Sequence, residues 1–294
     1  MEEQTATKLL VTGATGFIGR SVMAQLQRAG IDARPFQGRI NNYLDLREQL
    51  AGKTAVIHLA GSEMRGRNRL LNHVDIEGTA RLLEECERAD IQHLVVISRI
   101  GAEANALHSL LAAKGKIEKM VRQSGLPATI VRSASVYGYG DRYFEMILGI
   151  SYWSWPFAFL PGGGERAWQP LWVEDLARCL VQTVTRPDLI GKTVTVAGEE
   201  HLQYKEILKR ILRTAGIWRY PVRLPMTLLR PLSRLLFWWW YWPPATSYFV
   251  DRFFVPEAAD FDIVLRNFGF RPAHLDETIN YLRRPGLRWR LFRR

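Results

Sequence analysis

Gly13, Gly16 and Gly19 stand three apart in LLVTGATGFIGRSVMAQLQ, directly after an apolar run and at the head of an amphipathic one. A backbone that must pass close to a phosphate needs this spacing. Gly13 can take the positive φ of a turn from strand into helix. Gly16 leaves no side chain where a pyrophosphate would meet the chain, and Gly19 lets the helix close on the strand. The helix so opened turns free N–H groups and a partial positive charge toward an anion. Thr15, Phe17 and Ile18 complete the turn between the glycines. A glycine triplet alone is weak evidence. A strand before it and a helix after it make it the mark of a dinucleotide site.

The end of the second strand decides which dinucleotide. An NAD site places an acid there to accept from the ribose 2′-hydroxyl. In GIDARPFQGR that position falls near Gln37, and Asp32 lies at the strand's start, pointing away. Arg34 and Arg39 bracket the site and suit a 2′-phosphate, so NADP is expected over NAD. Asp45 and Leu46 of YLDLRE are placed at the edge and face of the adenine. Leu59, Ala60 and Gly61 of HLAG are placed under the adenosine ribose and pyrophosphate.

Around these residues the first half of the chain alternates short apolar runs with helical patterns, the signature of a parallel sheet covered on both faces. Strands are expected near residues 8–11, 32–36, 55–59, 93–98 and 128–132. Helices are expected near 19–28, 46–50, 69–89 and 107–124. The alternation stops after about Tyr139. A strand at 193–197 should extend the sheet, and helices at 173–185, 204–214 and 274–281 should frame a second lobe. The expected fold is α/β, a Rossmann doubly wound parallel sheet with a small C-terminal α/β cap lobe. Residues 1–139 form the NAD(P)-binding part and 140–294 the lobe packed on it.

TGATGFIG, LDL, VIHLAG, DIEGTARLLE, VVISRIGAE, AAKGKIEKMVRQSGLPATIVRSASVYG and QPLWVEDLA occur in this order. Together they resemble the extended and atypical short-chain dehydrogenase/reductases, of the epimerase/dehydratase kind, over nearly the whole chain. LPGGGERAWQPLWVEDLARCLVQTV, TVTVAGEEHLQYKEIL and FGFRPAHLDETINYL look most like the NAD(P)H-binding accessory subunits of respiratory complex I and their bacterial relatives. The resemblance implies a Tyr-x-x-x-Lys pair for proton transfer and ribose binding, and a Ser or Thr after the preceding strand. Lys114 matches the lysine, but Leu110 stands at the tyrosine position, and no tyrosine occurs between Tyr43 and Tyr137. The Ser/Thr position falls at Ile100, with Ser98 close by. Leucine cannot carry a proton, so Lys114 is left to bind ribose.

Tyr137, in SVYGYG at the end of the sixth strand, is the tyrosine best placed to substitute, although a structural role competes for it. His108 should point away around its helix, and Ser109 lies nearer. Arg99 is expected to be a solvated loop arginine, with contact to an anionic substrate as the alternative.

The net charge of +11 and the ten Trp point to an anionic surface or to a charged, solvated face. Residues 143–160 are strongly apolar and are expected either to roof the substrate cleft or to pack as core. In residues 224–250, Arg230 and Arg234 share a helical face beside Leu235–Trp242. The tail, residues 283–294, sets Arg283, Arg284, Arg288, Arg290, Arg293 and Arg294 around Trp289 and Phe292. Arginine beside tryptophan suits a membrane interface or a membrane complex. Nucleic acid is disfavoured, since no nucleic-acid fold accompanies the charge. No apolar run reaches a membrane span, and the acidic start runs straight into the first strand, so a cytoplasmic protein, peripheral on the inner face of the membrane, is expected. Cys86 and Cys179 belong to no Cys/His cluster, so core thiols and no metal site are expected. Two functions follow. One is an NAD(P)-binding protein with little or no catalysis that docks at a membrane. The other is an NADPH-dependent reductase or isomerase acting on an apolar substrate such as a quinone or isoprenoid.

Overall fold

The computed structural model describes residues 8–63, 68–141, 143–229 and 257–283, together with residues 231, 250, 253–255 and 287. Arg230, Arg234, the Leu235–Trp242 run and the tail beyond Arg283, apart from Leu287, lie outside the described residues. The first two strands are β1 (Leu9–Thr12) and β2 (Ala33–Pro35), followed by β3 (Ala55–His58), β4 (His93–Arg99) and β5 (Ala128–Ser133). Helices α1 (Phe17–Arg28), α2 (Tyr43–Leu50), α3 (Asn68–Leu70), α4 (Gly78–Arg88) and α5 (Ser109–Gln123) connect them. A wide π-helical stretch, Leu71–Glu77, joins α3 to α4.

The short strands β6 (Val136–Tyr137), β7 (Phe157–Pro161), β8 (Ala167–Trp168) and β9 (Leu171–Trp172) follow, with α6 (Phe144–Trp153) after β6 and α7 (Val173–Val184) after β9. β10 (Thr193–Val196), β11 (Leu202–Gln203), α8 (Tyr204–Thr214), β12 (Tyr220–Leu224), α9 (Ile263–Phe268) and α10 (Leu275–Thr278) complete the described elements. Six strands form one sheet in the order β2-β1-β3-β4-β5-β10, and every neighbouring pair is parallel. β1, β3 and most of β4 and β5 are buried on both faces, which is why they read as continuous apolar runs rather than alternating ones.

One core lies between the sheet and α1 and α7, with Val11, Val22, Leu26, Leu176 and Leu180 inside it. A second covers the other face under α2, α4 and α5, around Leu46, Leu82, Leu94, Ile117 and Val121. The lobe has its own aromatic core, where Tyr137, Phe144, Trp168, Tyr204 and Phe253 meet. The expected α7 and β10 are present, and both complete the sheet although they come from the second half of the chain. The pairs β6–β9 and β8–β11 left no period in the sequence, since strands of two residues are too short to show one, and the five-residue pair β7–β12 was not anticipated either.

Candidate dinucleotide site

The glycine turn has the geometry a pyrophosphate cradle needs. Gly13 takes φ +70°, and a Cβ there would lie 2.7 Å from Ala60 N and from the Leu59 carbonyl carbon. The turns after β1 and β3 therefore touch through backbone alone. At Gly19 a Cβ would fall 2.1 Å from Gly13 O, so the first turn of α1 can close on the loop with glycine and no other residue. A Cβ on exposed Gly16 would meet nothing nearer than Gly13 O at 3.1 Å, which leaves its outer side open to a ligand. No side chain caps α1 and no acid lies in its first turn. Thr15 and Gly16 are exposed, while Phe17 and Ile18 pack partly onto the first core. Arg20 Nη1 donates to Thr15 O at 3.0 Å and steadies the turn.

Beneath HLAG lies a buried polar chain. Thr79 Oγ1 donates to Asp75 O at 2.5 Å, so at 2.9 Å it accepts from His58 Nε2. The other ring nitrogen, Nδ1, then accepts from Thr12 Oγ1 at 2.7 Å. This order requires a neutral ring. Burial first, and the Lys114 ammonium second, push His58 down to about 3. Thr12 Oγ1 also accepts from Ala60 N at 3.3 Å, so the chain ends on the loop that backs the glycine turn.

Asp75, in the π-helical stretch, holds the next part of that loop. Its Oδ2 accepts from Ser62 N at 2.8 Å and from Ser62 Oγ at 2.5 Å. Its Oδ1 has no hydrogen-bond partner and faces Lys114 Nζ at 3.8 Å. A Cβ on Gly61 would stand 3.0 Å from Asp75 Oδ1 and 4.0 Å from Lys114 Nζ. Lys114 and Asp75 thus lie directly under the Gly61 backbone, both buried, with hydrogen-bonding capacity left over. These features fit a dinucleotide: an uncapped helix end, three glycines where a Cβ would intrude on loop or ligand, and a buried ammonium beneath Gly61.

Other expected site residues fall elsewhere. Leu46 is fully buried in the core under α2 and α4 and is not a face for adenine. Ser98 points to the α5 side of the sheet, where its hydroxyl donates to Glu118 Oε1 at 2.6 Å, so it serves that network and not a ligand. Tyr137 is buried in the lobe core, stacked on Phe144 at 4.9 Å, with its hydroxyl 2.6 Å from Thr278 Oγ1. Burial raises its hydroxyl above the usual range, so it gives up its proton less readily than an exposed tyrosine. Leu110 is buried against Leu71 and Ala113. Arg99 is not solvated. Its guanidinium is buried and donates to Glu63 Oε1 at 2.8 Å, Glu257 Oε1 at 3.0 Å and Ser135 Oγ at 3.4 Å.

At the adenosine end, Arg34 and Arg39 are exposed, and Arg34 lies 3.9 Å from Asp32. The Asp45 carboxylate rests against Gly38, whose φ is +117°. Gln49 of α2 clamps Gln37, accepting from its N–H at 2.8 Å and donating to its carbonyl at 2.6 Å. Leu59 and Ala60 are half-buried and Gly61 is exposed beside the glycine turn.

Sequence reasoning missed Asp75, His58 and Thr79, because their meeting depends on β3 lying against the π-helical stretch. It also missed Asp141, whose Oδ1 accepts from the N–H groups of Tyr143, Phe144 and Glu145 at 2.8, 2.7 and 3.1 Å. Asp141 Oδ2 takes the Gly138 N–H at 2.8 Å and the Tyr281 hydroxyl. An aspartate just before the apolar run of α6 is a capping signal, and it was there to be read.

A family model described as NAD(P)H-binding matches residues 30–138, a stretch that begins after the glycine turn. The mitochondrial 40 kDa subunit of NADH-ubiquinone oxidoreductase from Neurospora crassa is 24% identical, over 92% of this chain and 78% of that protein. A photosystem II assembly factor from Trieres chinensis is 24% identical, over 77% of this chain and 75% of its own. Among solved structures, the dTDP-glucose 4,6-dehydratase DesIV of Streptomyces venezuelae, with NAD bound, superposes with a TM-score of 0.71 at 19% identity. That alignment covers 95% of this chain and 97% of DesIV.

Proposed function

We propose that this chain, an NAD(P)-binding relative of a mitochondrial NADH-ubiquinone oxidoreductase subunit with the fold of the epimerase/dehydratase-type short-chain dehydrogenase/reductases, holds a dinucleotide as an accessory protein and does not turn it over. The observation that carries this is the pairing of an intact cradle with the loss of the proton carrier. Lys114 lies under Gly61, but Leu110, one turn before it on α5, is packed into apolar contact with Leu71. Tyr137, the one substitute offered by position, has its hydroxyl held by Thr278 inside the lobe. In doubly wound sheets the ligand crevice lies at the carboxyl ends of the strands. At the end of β4 stands the Arg99–Glu63–Glu257 cluster, and charge at that place disfavours an apolar substrate.

The bound dinucleotide would bring hydride chemistry to the site; the residues described here supply its binding. The turn residues 13–19 would take the pyrophosphate, Gly61 would back it, and Lys114 would meet the ribose. Exposed Arg34 and Arg39 at the end of β2 favour NADP. Net charge +11, the arginine- and tryptophan-bearing residues 224–250 and 283–294, and the mitochondrial ubiquinone-oxidoreductase and photosystem contexts in the relatives' names support docking at a membrane or a membrane complex.

The test combines binding with turnover. Full-length protein titrated with NADPH, followed by nucleotide fluorescence, should bind it more tightly than NADH. Gly16→Asp should weaken binding about 100-fold, because a carboxylate at the helix N-terminus repels the pyrophosphate. With NADPH saturating, a soluble quinone should be reduced no faster than without protein. Steady NADPH oxidation that depends on the protein and vanishes in Tyr137→Phe would overturn the accessory reading in favour of the reductase.

A further inference from the structure

Residues 143–160 do not all roof a cleft. Phe144, Met146, Ile147 and Leu148 are buried in the lobe core, but Trp153 is 63% exposed, Trp155 74% and Phe157 44%. Beside them stand Trp218 at 67% and Tyr220 at 56%. The five rings share one edge. β7 and β12 pair in parallel with Phe157 opposite Tyr220, and Tyr220 N donates to Pro156 O at 2.8 Å. The Trp218 and Tyr220 rings meet edge-on at 4.4 Å, and Arg219 Nε donates to Ser151 O at 2.6 Å, which ties this strand to the end of α6.

We infer that this aromatic edge of Trp153, Trp155, Phe157, Trp218 and Tyr220 seats in the headgroup–acyl boundary of an anionic bilayer. The inference rests on the membrane-docking reading above and gives it a surface. Two observations select lipid. The rings are mostly Trp and Tyr, whose apolar bodies and polar tips favour the membrane interface. The charge around them has one sign: residues 151–164 and 215–229 contain no Asp or Glu, and their charged residues are Arg219 and Arg223. Arg223 is exposed on β12, three residues after Tyr220, and its long side chain would supply the cation for a lipid phosphate. Beyond β12 the chain enters the segment that carries Arg230, Arg234 and Trp238–Trp240, so the same composition continues outward in sequence.

The test is sedimentation of full-length protein with phosphatidylcholine vesicles, with and without phosphatidylglycerol, at low and high salt. The parent should bind the anionic vesicles, less so in high salt. Trp153→Ser, Trp155→Ser and Trp218→Ser combined should lower that affinity at least about tenfold while NADPH binding is kept, which shows the variant folded. Arg223→Gln should weaken binding at low salt only. Leu107→Ser with Phe261→Ser, which removes exposed apolar residues away from this edge, should change nothing. If the parent binds and the triple tryptophan variant binds equally, the edge is not the contact and the membrane reading stands on other residues. An equal loss in the Leu107/Phe261 variant defeats the assignment to this edge as well. A parent that sediments with neither vesicle overturns direct lipid contact, by this edge or any other, and leaves the edge to a protein partner.

Discussion

Lys114 and Asp75 form the pair on which the cofactor reading turns. Their separation of 3.8 Å leaves each with hydrogen-bonding capacity, and both are buried. Lys114→Met should weaken NADPH binding about tenfold, the cost of losing charge-assisted hydrogen bonds to ribose. It should also destabilise the fold by roughly 3 kcal/mol, since Asp75 is left as an unpaired buried charge. Adding Asp75→Asn should recover most of the stability but none of the affinity, and urea titration beside NADPH titration separates the two effects. His58 makes a pH prediction. Its folded value, about 3, lies below the ordinary 6.5, so the unfolded chain takes the proton first. Its stabilising contribution is therefore complete above about pH 6.5 and is lost as pH falls from there toward 3. Between pH 7 and pH 5 this removes about 2 kcal/mol. His93, also lowered by burial, acts with the same sign. His58→Gln keeps a polar bridge without the titration and should flatten the fall in stability over that range.

Helix α5 does more than carry Lys114. One turn further on, Glu118 collects Ser98 from β4, Arg132 from β5 and Arg122 from its own helix, at 2.6 to 2.8 Å. Burial works against its charge, but the hydrogen bonds from Arg132, Ser98 and Arg122 outweigh it and hold the carboxyl below the usual range. The carboxylate fixes the rotation of α5 on the sheet, and with it the height of Lys114 under Gly61. Glu118→Leu should cost roughly 2 kcal/mol in urea unfolding. That is less than a fully buried pair would cost, because Arg132 is 31% exposed and Arg122 51%, so both can turn to water. NADPH affinity should fall with it, which a purely structural role remote from the site would not cause.

Across the whole molecule, Arg99 binds the sheet to what lies over its carboxyl edge. It leaves β4 to meet Glu63 from the loop after β3 and Glu257 from the far end of the chain. Burial opposes its charge, yet the two carboxylates outweigh it and hold the guanidinium ionised. Arg99→Met would strand two acids and should destabilise the protein by about 3 kcal/mol. Hydrogen exchange should show the greatest loss of protection near Glu257 and in the lobe, with β1 and β3 little changed. Uniform loss of protection throughout would deny Arg99 this linking role.

The chain by itself determined the strand order's raw material and the glycine turn. Both are local: a parallel strand buried on both faces is a continuous apolar run, and a turn that needs positive φ and a missing Cβ requires glycine at fixed steps. Lys114 and Leu110, one helical turn apart, were singled out through the family resemblance and not by any local period. What Arg99, Ser98, Leu46 and Tyr137 do was decided by tertiary structure alone. Ser98 finds its carboxylate 20 positions away, Tyr137 its hydroxyl partner 141 and Arg99 one of its carboxylates 158. Which face of a strand meets a carboxylate, and which meets solvent, depends on packing that no local period encodes. The aromatic edge is the same case in reverse: Trp153 and Trp155 belong to a run expected either to roof a cleft or to pack as core, and the tertiary structure leaves both exposed beside the β7–β12 pair.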